Sequence, residues 1–206
     1  PPKDVPGAAM VESPMAYSGE QLRPWQRSFV AMFVEHRHTF RKARLLIADE
    51  VGLGKTLSLA TSALVSVLLG DGPTLILTPP TLSKQWQTEI WDKLGIKTAL
   101  WSSQKKVWLN LDDEPLTAKT TDGIRKCPFQ IGIVSTGLVT HQCKDGKFVK
   151  EAEQLLFQEY GMVILDEAHK ARTGGGFGEA ANKPNNLLLF MQKIIQSIRH
   201  RHGHQR

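Results

Sequence analysis

Apolar positions along this chain fall into two rhythms. Continuous aliphatic runs of four or five residues recur at 45–48, 74–78, 98–101, 131–135 and 162–166, the pattern of strands buried on both faces. Between them, apolar residues step at helical intervals. Phe29, Val30, Phe33 and Val34 follow Leu22-Arg23-Pro24-Trp25-Gln26. The run 55–69 predicts a second helix, stopped by Gly70, Gly72 and Pro73. After Pro79-Pro80 breaks the strand 74–78, Leu82, Trp86, Ile90 and Leu94 recur at four-residue steps. Further helices are expected over 148–160, with Phe148, Ala152, Leu155 and Leu156 inward, and over 187–198, with Leu187, Phe190, Met191, Ile194 and Ile198 inward. Residues 102–128 show no sustained period and are expected to be loop with one short helix. Strands alternating with helices imply an α/β fold, a mostly parallel sheet flanked by helices and joined by right-handed crossovers.

A length of 206 residues suits one such lobe and leaves no room for a second of the same size. Four prolines (Pro1, Pro2, Pro6, Pro14) mark 1–18 as a flexible arm, the lobe is expected over 19–200, and 201–206 form a basic tail. Hydrophobic content of 41% and charged content of 22% are ordinary for a globular protein. No apolar run approaches the roughly 18 residues of a membrane span. The first residues lack the charged-then-apolar plan of a signal peptide. A soluble intracellular protein, in cytoplasm, nucleoid or nucleus, is therefore expected, with no membrane partner.

The formal charge of +6 admits a polyanionic partner, as it admits a merely solvated basic face. Its distribution is more telling: between Arg23 and Arg44 stand six basic residues with Glu35 as the only acid. Two cysteines, Cys127 and Cys143, exclude a disulfide framework, and with His141 they fall one ligand short of a closed zinc site.

Two segments carry chemistry. Gly52-Leu53-Gly54-Lys55-Thr56 lies between an apolar run and a helix. Glycines there let backbone N–H groups turn toward phosphates, the helix N-terminus adds its positive dipole end, Lys55 supplies a cation and Thr56 a hydroxyl for Mg²⁺. The strict phosphate-loop pattern wants glycine where Asp49 stands, and a helix-capping turn reads the same way on this segment alone. Asp166-Glu167 closes the apolar run 162–165. Alone, such a pair also fits a solvated strand end. In this order, each at a strand tip, the two segments make an ATP-hydrolysing site, with Lys55, Asp166 and Glu167 as its catalytic groups. Asp166 would hold Mg²⁺ together with Thr56, and Glu167 would orient and deprotonate the attacking water.

Asp-Glu-Val-Gly-Leu-Gly-Lys-Thr (49–56) with Asp-Glu-Ala-His (166–169) resembles the first RecA-like lobe of superfamily 2 helicase-like ATPases, specifically the Swi/Snf-related DNA translocases. The likeness covers roughly residues 20–200, and Asp49 is itself a feature of that family. It implies a RecA-like P-loop domain as a single lobe, with ATP and Mg²⁺ bound by Gly52, Leu53, Gly54, Lys55 and Thr56. It also implies that Gln26 reads the adenine edge. Thr78, Pro79 and Gln85, and later Ser135 and Thr136, would meet the DNA backbone, duplex in that family. His169 would couple these segments to the ATP site, whereas Trp86 is expected in the core. The family continues with a second RecA-like lobe, absent from this sequence, whose arginines reach the γ-phosphate. The expected function is an ATP-driven motor lobe that moves on or remodels DNA complexes and is poorly active alone. A catalytically silent nucleotide- or DNA-binding module, or an RNA helicase of the same superfamily, are the alternatives.

Overall fold

The structure is a computed structural model that describes residues 21–40, 54–141, 147–173 and 184–202, with side chains up to residue 196 in the last segment. Among the described residues, five strands form one sheet: β1 (Thr74–Thr78), β2 (Ala99–Ser102), β3 (Val107–Leu109), β4 (Ile131–Ser135) and β5 (Met162–Leu165), in the order β3-β2-β4-β1-β5. β1 runs parallel to β4 and β5, β2 runs parallel to β4, and β3 alone is antiparallel. This is the mostly parallel, helix-flanked α/β arrangement that the alternating pattern predicts. The expected strand over 45–48 lies outside the described residues.

Among the described residues, six helices flank the sheet: α1 (Pro24–Phe40), α2 (Lys55–Leu68), α3 (Pro80–Leu94), α4 (Thr136–Thr140), α5 (Lys150–Leu155) and α6 (Asn186–His202). Every residue of β1 is buried, as a strand covered on both faces must be. Its alternate residues serve two cores. Leu75 and Leu77 pack with Val139, Leu155, Phe190 and Ile194 under α4, α5 and α6. Ile76 packs with Ala60, Ala63, Trp86 and Ile90 under α2 and α3. A third cluster, Leu22, Val30, Phe33, Val34 and Val65, seats α1 on α2. Among the described residues, no helix is long and apolar enough to cross a membrane.

Two expectations are corrected. The stretch 102–128 is more ordered than its composition suggests. Lys106, at φ 57°, turns the chain so that Val107–Leu109 pairs with β2, and Trp101 and Trp108 meet edge to face with ring centres 5.4 Å apart. The Trp108 indole then donates to the Gly123 carbonyl at 2.9 Å, seating the short 3₁₀ turn Thr121–Arg125. The helix expected over 148–160 spans only Lys150–Leu155. Beyond it, Leu156, Phe157 and Gln158 bond back three residues, to Glu153, Gln154 and Leu155, and the tightened turn carries the chain into β5.

Candidate functional site

The parallel register decides where the chemistry collects. Thr78 pairs with Ser135 across β1 and β4, and the Asp166 amide donates to the Leu77 carbonyl at 2.9 Å. The carboxyl ends of β1, β4 and β5 therefore lie side by side, the edge at which open α/β sheets hold ligands. α2 begins at the same edge. Gly54 caps it in the left-handed region, φ 80° and ψ 28°, which favours glycine, and a β-carbon there would stand 2.8 Å from Gln26 Nε2. Lys55, first in the helix, extends its ammonium to 3.7 Å from Asp166 Oδ1, across 111 residues of sequence.

Asp166 is buried, its side chain 5% exposed, and a carboxylate in such a place requires donors. It has three. Thr78 Oγ1 donates to Oδ2 at 3.1 Å, Trp86 Nε1 donates to the same oxygen at 3.0 Å, and the Glu167 backbone N–H donates to Oδ1 at 2.9 Å. Both lone pairs of Oδ2 are thus occupied, while Oδ1, among the described residues, accepts from the Glu167 N–H alone and faces Lys55. A carboxylate oxygen that faces an ammonium beside a helix N-terminus is a hard-donor arrangement suited to Mg²⁺ and phosphate. The residues present fit a magnesium nucleotide.

Glu167 adopts φ 52° and ψ 47°, a left-handed conformation that costs a non-glycine residue about 1–2 kcal/mol. It starts the 3₁₀ turn Ala168–Lys170, which brings the Lys170 ammonium onto Glu167 Oε2 as an ion pair. His169 is exposed on that turn. Gln26 is 4% exposed and its amide is engaged at both ends: Oε1 accepts from the Arg23 N–H at 2.8 Å and Nε2 donates to the Gly54 carbonyl at 3.0 Å. It is thereby fastened to the residue that caps α2. Gly52 and Leu53 lie outside the described residues. Thr56 is half-buried and borders a crevice between α2 and α3 with Glu89 and Lys93.

The five residues expected at DNA divide. Gln85 is exposed on α3, where it donates to Glu89 Oε1 at 2.7 Å. Ser135 is half-buried, and its hydroxyl accepts from the Gly137 N–H at 3.1 Å to cap α4. Thr78 is wholly buried with its hydroxyl turned to Asp166, and Pro79 and Thr136 are buried as well. Sequence reasoning missed the parts of Thr78, Trp86 and Lys170. Trp86 does lie in the core, at 3% exposure, but its indole N–H also serves the acid. Only Lys170 left a sequence signal, at three residues from Glu167.

A cavity of about 250 Å³ opens at the other edge of the sheet, among Pro73, Trp108, Cys127, Phe129 and Tyr160. Burial pushes the Cys127 thiol up to about 12 and raises the Tyr160 phenol, so both stay neutral there. Cys143 lies outside the described residues.

A parallel sheet that gathers a lysine–threonine helix start and paired acids at its carboxyl edge defines the RecA-like class of nucleotide-binding lobes. The SNF2-related domain matches residues 25–175, and this chain belongs to that family, as an N-terminal lobe of the Swi/Snf type of superfamily 2 helicase-like ATPase. It is 31% identical over 157 residues to the RNA polymerase-associated protein RapA of Haemophilus influenzae (strain PittEE). That match takes in 75% of this chain and 15% of that protein's length. The chain is also similar to a solved structure titled Sulfolobus solfataricus SWI2/SNF2 ATPase core in complex with dsDNA, at 14% identity and a TM-score of 0.49, over 74% of this chain and 33% of that one.

Proposed function

We propose that this lobe, spanning about residues 19–200, binds ATP and Mg²⁺ at the carboxyl edge of its sheet. Joined to a second RecA-like lobe, it would hydrolyse ATP to move along, or remodel, complexes of duplex DNA. The observation that carries the reading is the approach of the Lys55 ammonium to 3.7 Å from Asp166 Oδ1 at the start of α2. When bound, the magnesium nucleotide supplies the scissile phosphoryl bond and partial neutralisation of its charge.

The chain's own groups then have distinct tasks. Lys55 and the backbone N–H groups of Gly52, Leu53 and Gly54 bind phosphate oxygens. Thr56 and Asp166 Oδ1 would hold the metal when it is bound. Glu167 accepts a proton from the attacking water, for which its ion pair with Lys170 has to open. Gln26 reads the adenine edge by exchanging one of its two present hydrogen bonds. Gln85 and Ser135 are the groups best exposed to reach a DNA phosphate, with Thr136 and Pro79 shaping the surface behind them, and His169 lies on the turn that would couple the two sites. Thr78 moves from DNA contact to the support of Asp166. Phosphate contacts carry affinity without base identity, so sequence specificity is not expected.

Arginines from a second lobe are worth roughly 10³ to 10⁵ in rate, so the lobe alone binds nucleotide and turns it over slowly. Lys55→Ala is the direct test: it should abolish tight nucleotide binding, and an unchanged affinity in the folded variant would refute the phosphate-loop assignment. In the two-lobed protein, duplex DNA should stimulate turnover more than single-stranded RNA, and the reverse order would assign the motor to RNA.

A further inference from the structure

We infer that Thr78 and Trp86 act as a pair of positioning residues, which aim the metal-holding carboxylate by occupying its far oxygen. The inference rests on the nucleotide site proposed above. Its ground is the unequal treatment of the two oxygens of Asp166. Oδ2 takes both side-chain donors, at 3.1 and 3.0 Å, whereas Oδ1 takes one backbone N–H and faces Lys55.

Both donors are held rigidly. Thr78 ends β1 and is wholly buried, and its position is set by pairing with Ser135. Trp86 projects inward from the second turn of α3 and packs with Ile76, Ile90 and Ile164. An indole N–H can only donate, so it cannot adapt to a protonated or rotated acid as a hydroxyl could. Water scarcely reaches the carboxylate, which leaves no ready substitute for a missing donor. Without this pair only the Glu167 N–H would hold the carboxylate about χ2, and Oδ1 would lose much of its fixed aim toward Lys55 and the metal.

The two donors also belong to one continuous stretch of chain. Thr78, Pro79 and α3 lead from the strand tip to Trp86, and Gln85, next to it, stands on the outer surface.

The test is nucleotide binding, read apart from turnover. A fluorescent ATP analogue is titrated into the wild-type chain, Trp86→Phe, Thr78→Val and Thr78→Ser, each in millimolar Mg²⁺ and again in excess EDTA. Circular dichroism checks that each variant is folded. Wild type should bind more tightly with Mg²⁺ than without. Trp86→Phe and Thr78→Val should each lose most of that Mg²⁺ enhancement, since the loss of such a partner costs about 10- to 100-fold in metal affinity. Their affinity in EDTA should stay within about twofold, and Thr78→Ser, which keeps the hydroxyl, should behave as wild type. Should Trp86→Phe not fold, the Thr78 pair of variants decides alone. Full Mg²⁺ enhancement in both folded donor-deleted variants overturns the inference and leaves the nucleotide site standing. Absence of nucleotide binding by wild type in both buffers overturns the site, and the inference with it.

Discussion

Gly54→Ala puts the join between the phosphate loop and α1 under a defined load. Gly54 sits at φ 80°, where an alanine costs about 1–2 kcal/mol. The new methyl would lie 2.8 Å from Gln26 Nε2, well inside contact distance. Backbone cannot yield easily at a helix start, so the amide at the end of the glutamine has to move. Doing so breaks the 3.0 Å bond that the amide of Gln26, itself only 4% exposed, donates to the Gly54 carbonyl. A neutral hydrogen bond of this kind contributes about 1 kcal/mol net. The two effects sum to about 2–3 kcal/mol. Equilibrium urea unfolding of wild type, Gly54→Ala, Gln26→Ala and the double variant measures it. Because the amide's bond can be lost only once, the double variant should be less destabilised than the two single losses added, by about 1 kcal/mol. A Gly54→Ala stability within about 0.5 kcal/mol of wild type, or strictly additive losses, would refute the reasoning.

Three further outcomes are expected. Glu167→Gln should keep nucleotide affinity and reduce turnover at least a hundredfold in the two-lobed protein, measured by phosphate release; surviving turnover would move the base elsewhere. Cys127, held neutral up to about 12 by burial, should resist iodoacetamide at pH 8 while the protein is folded and react quickly in urea, as read by peptide mass mapping. The same shift has a sign for stability. The folded thiol keeps its proton above the range where an unfolded one loses it, so its contribution is complete below about pH 8.5 and declines as pH rises toward 12. Alkaline unfolding that began no earlier in wild type than in Cys127→Ala would contradict this.

The local rules were readable wherever one element's pattern was strong and uninterrupted. The aliphatic runs at 74–78 and 131–135 became strands with those bounds, and the four-residue steps of Leu82, Trp86, Ile90 and Leu94 became one face of α3. Short or mixed segments were less legible. Val107–Leu109 is three residues long and becomes a strand only because β2 offers it a partner edge. The end of α5 at Leu155 is set by the turn that follows it, which periodicity does not register.

For the site, the sequence alone determined which residue types were available and in what order: Gly54-Lys55-Thr56 to begin a helix, Asp166-Glu167 to end a strand. Residue type and order depend only on the chain, and the preference of glycine, lysine and paired acids for such places is local chemistry. Distance between them is not local. Only the parallel pairing of β1 with β5 and the seating of α2 bring Lys55 within 3.7 Å of Asp166. The tertiary structure also decided that the hydroxyl of Thr78, expected at the DNA backbone, would turn inward to the acid, and that Trp86, expected in the core, would donate to it as well. A buried carboxylate takes its donors from whatever neighbours the packing supplies, and here those stand 88 and 80 residues away in the chain.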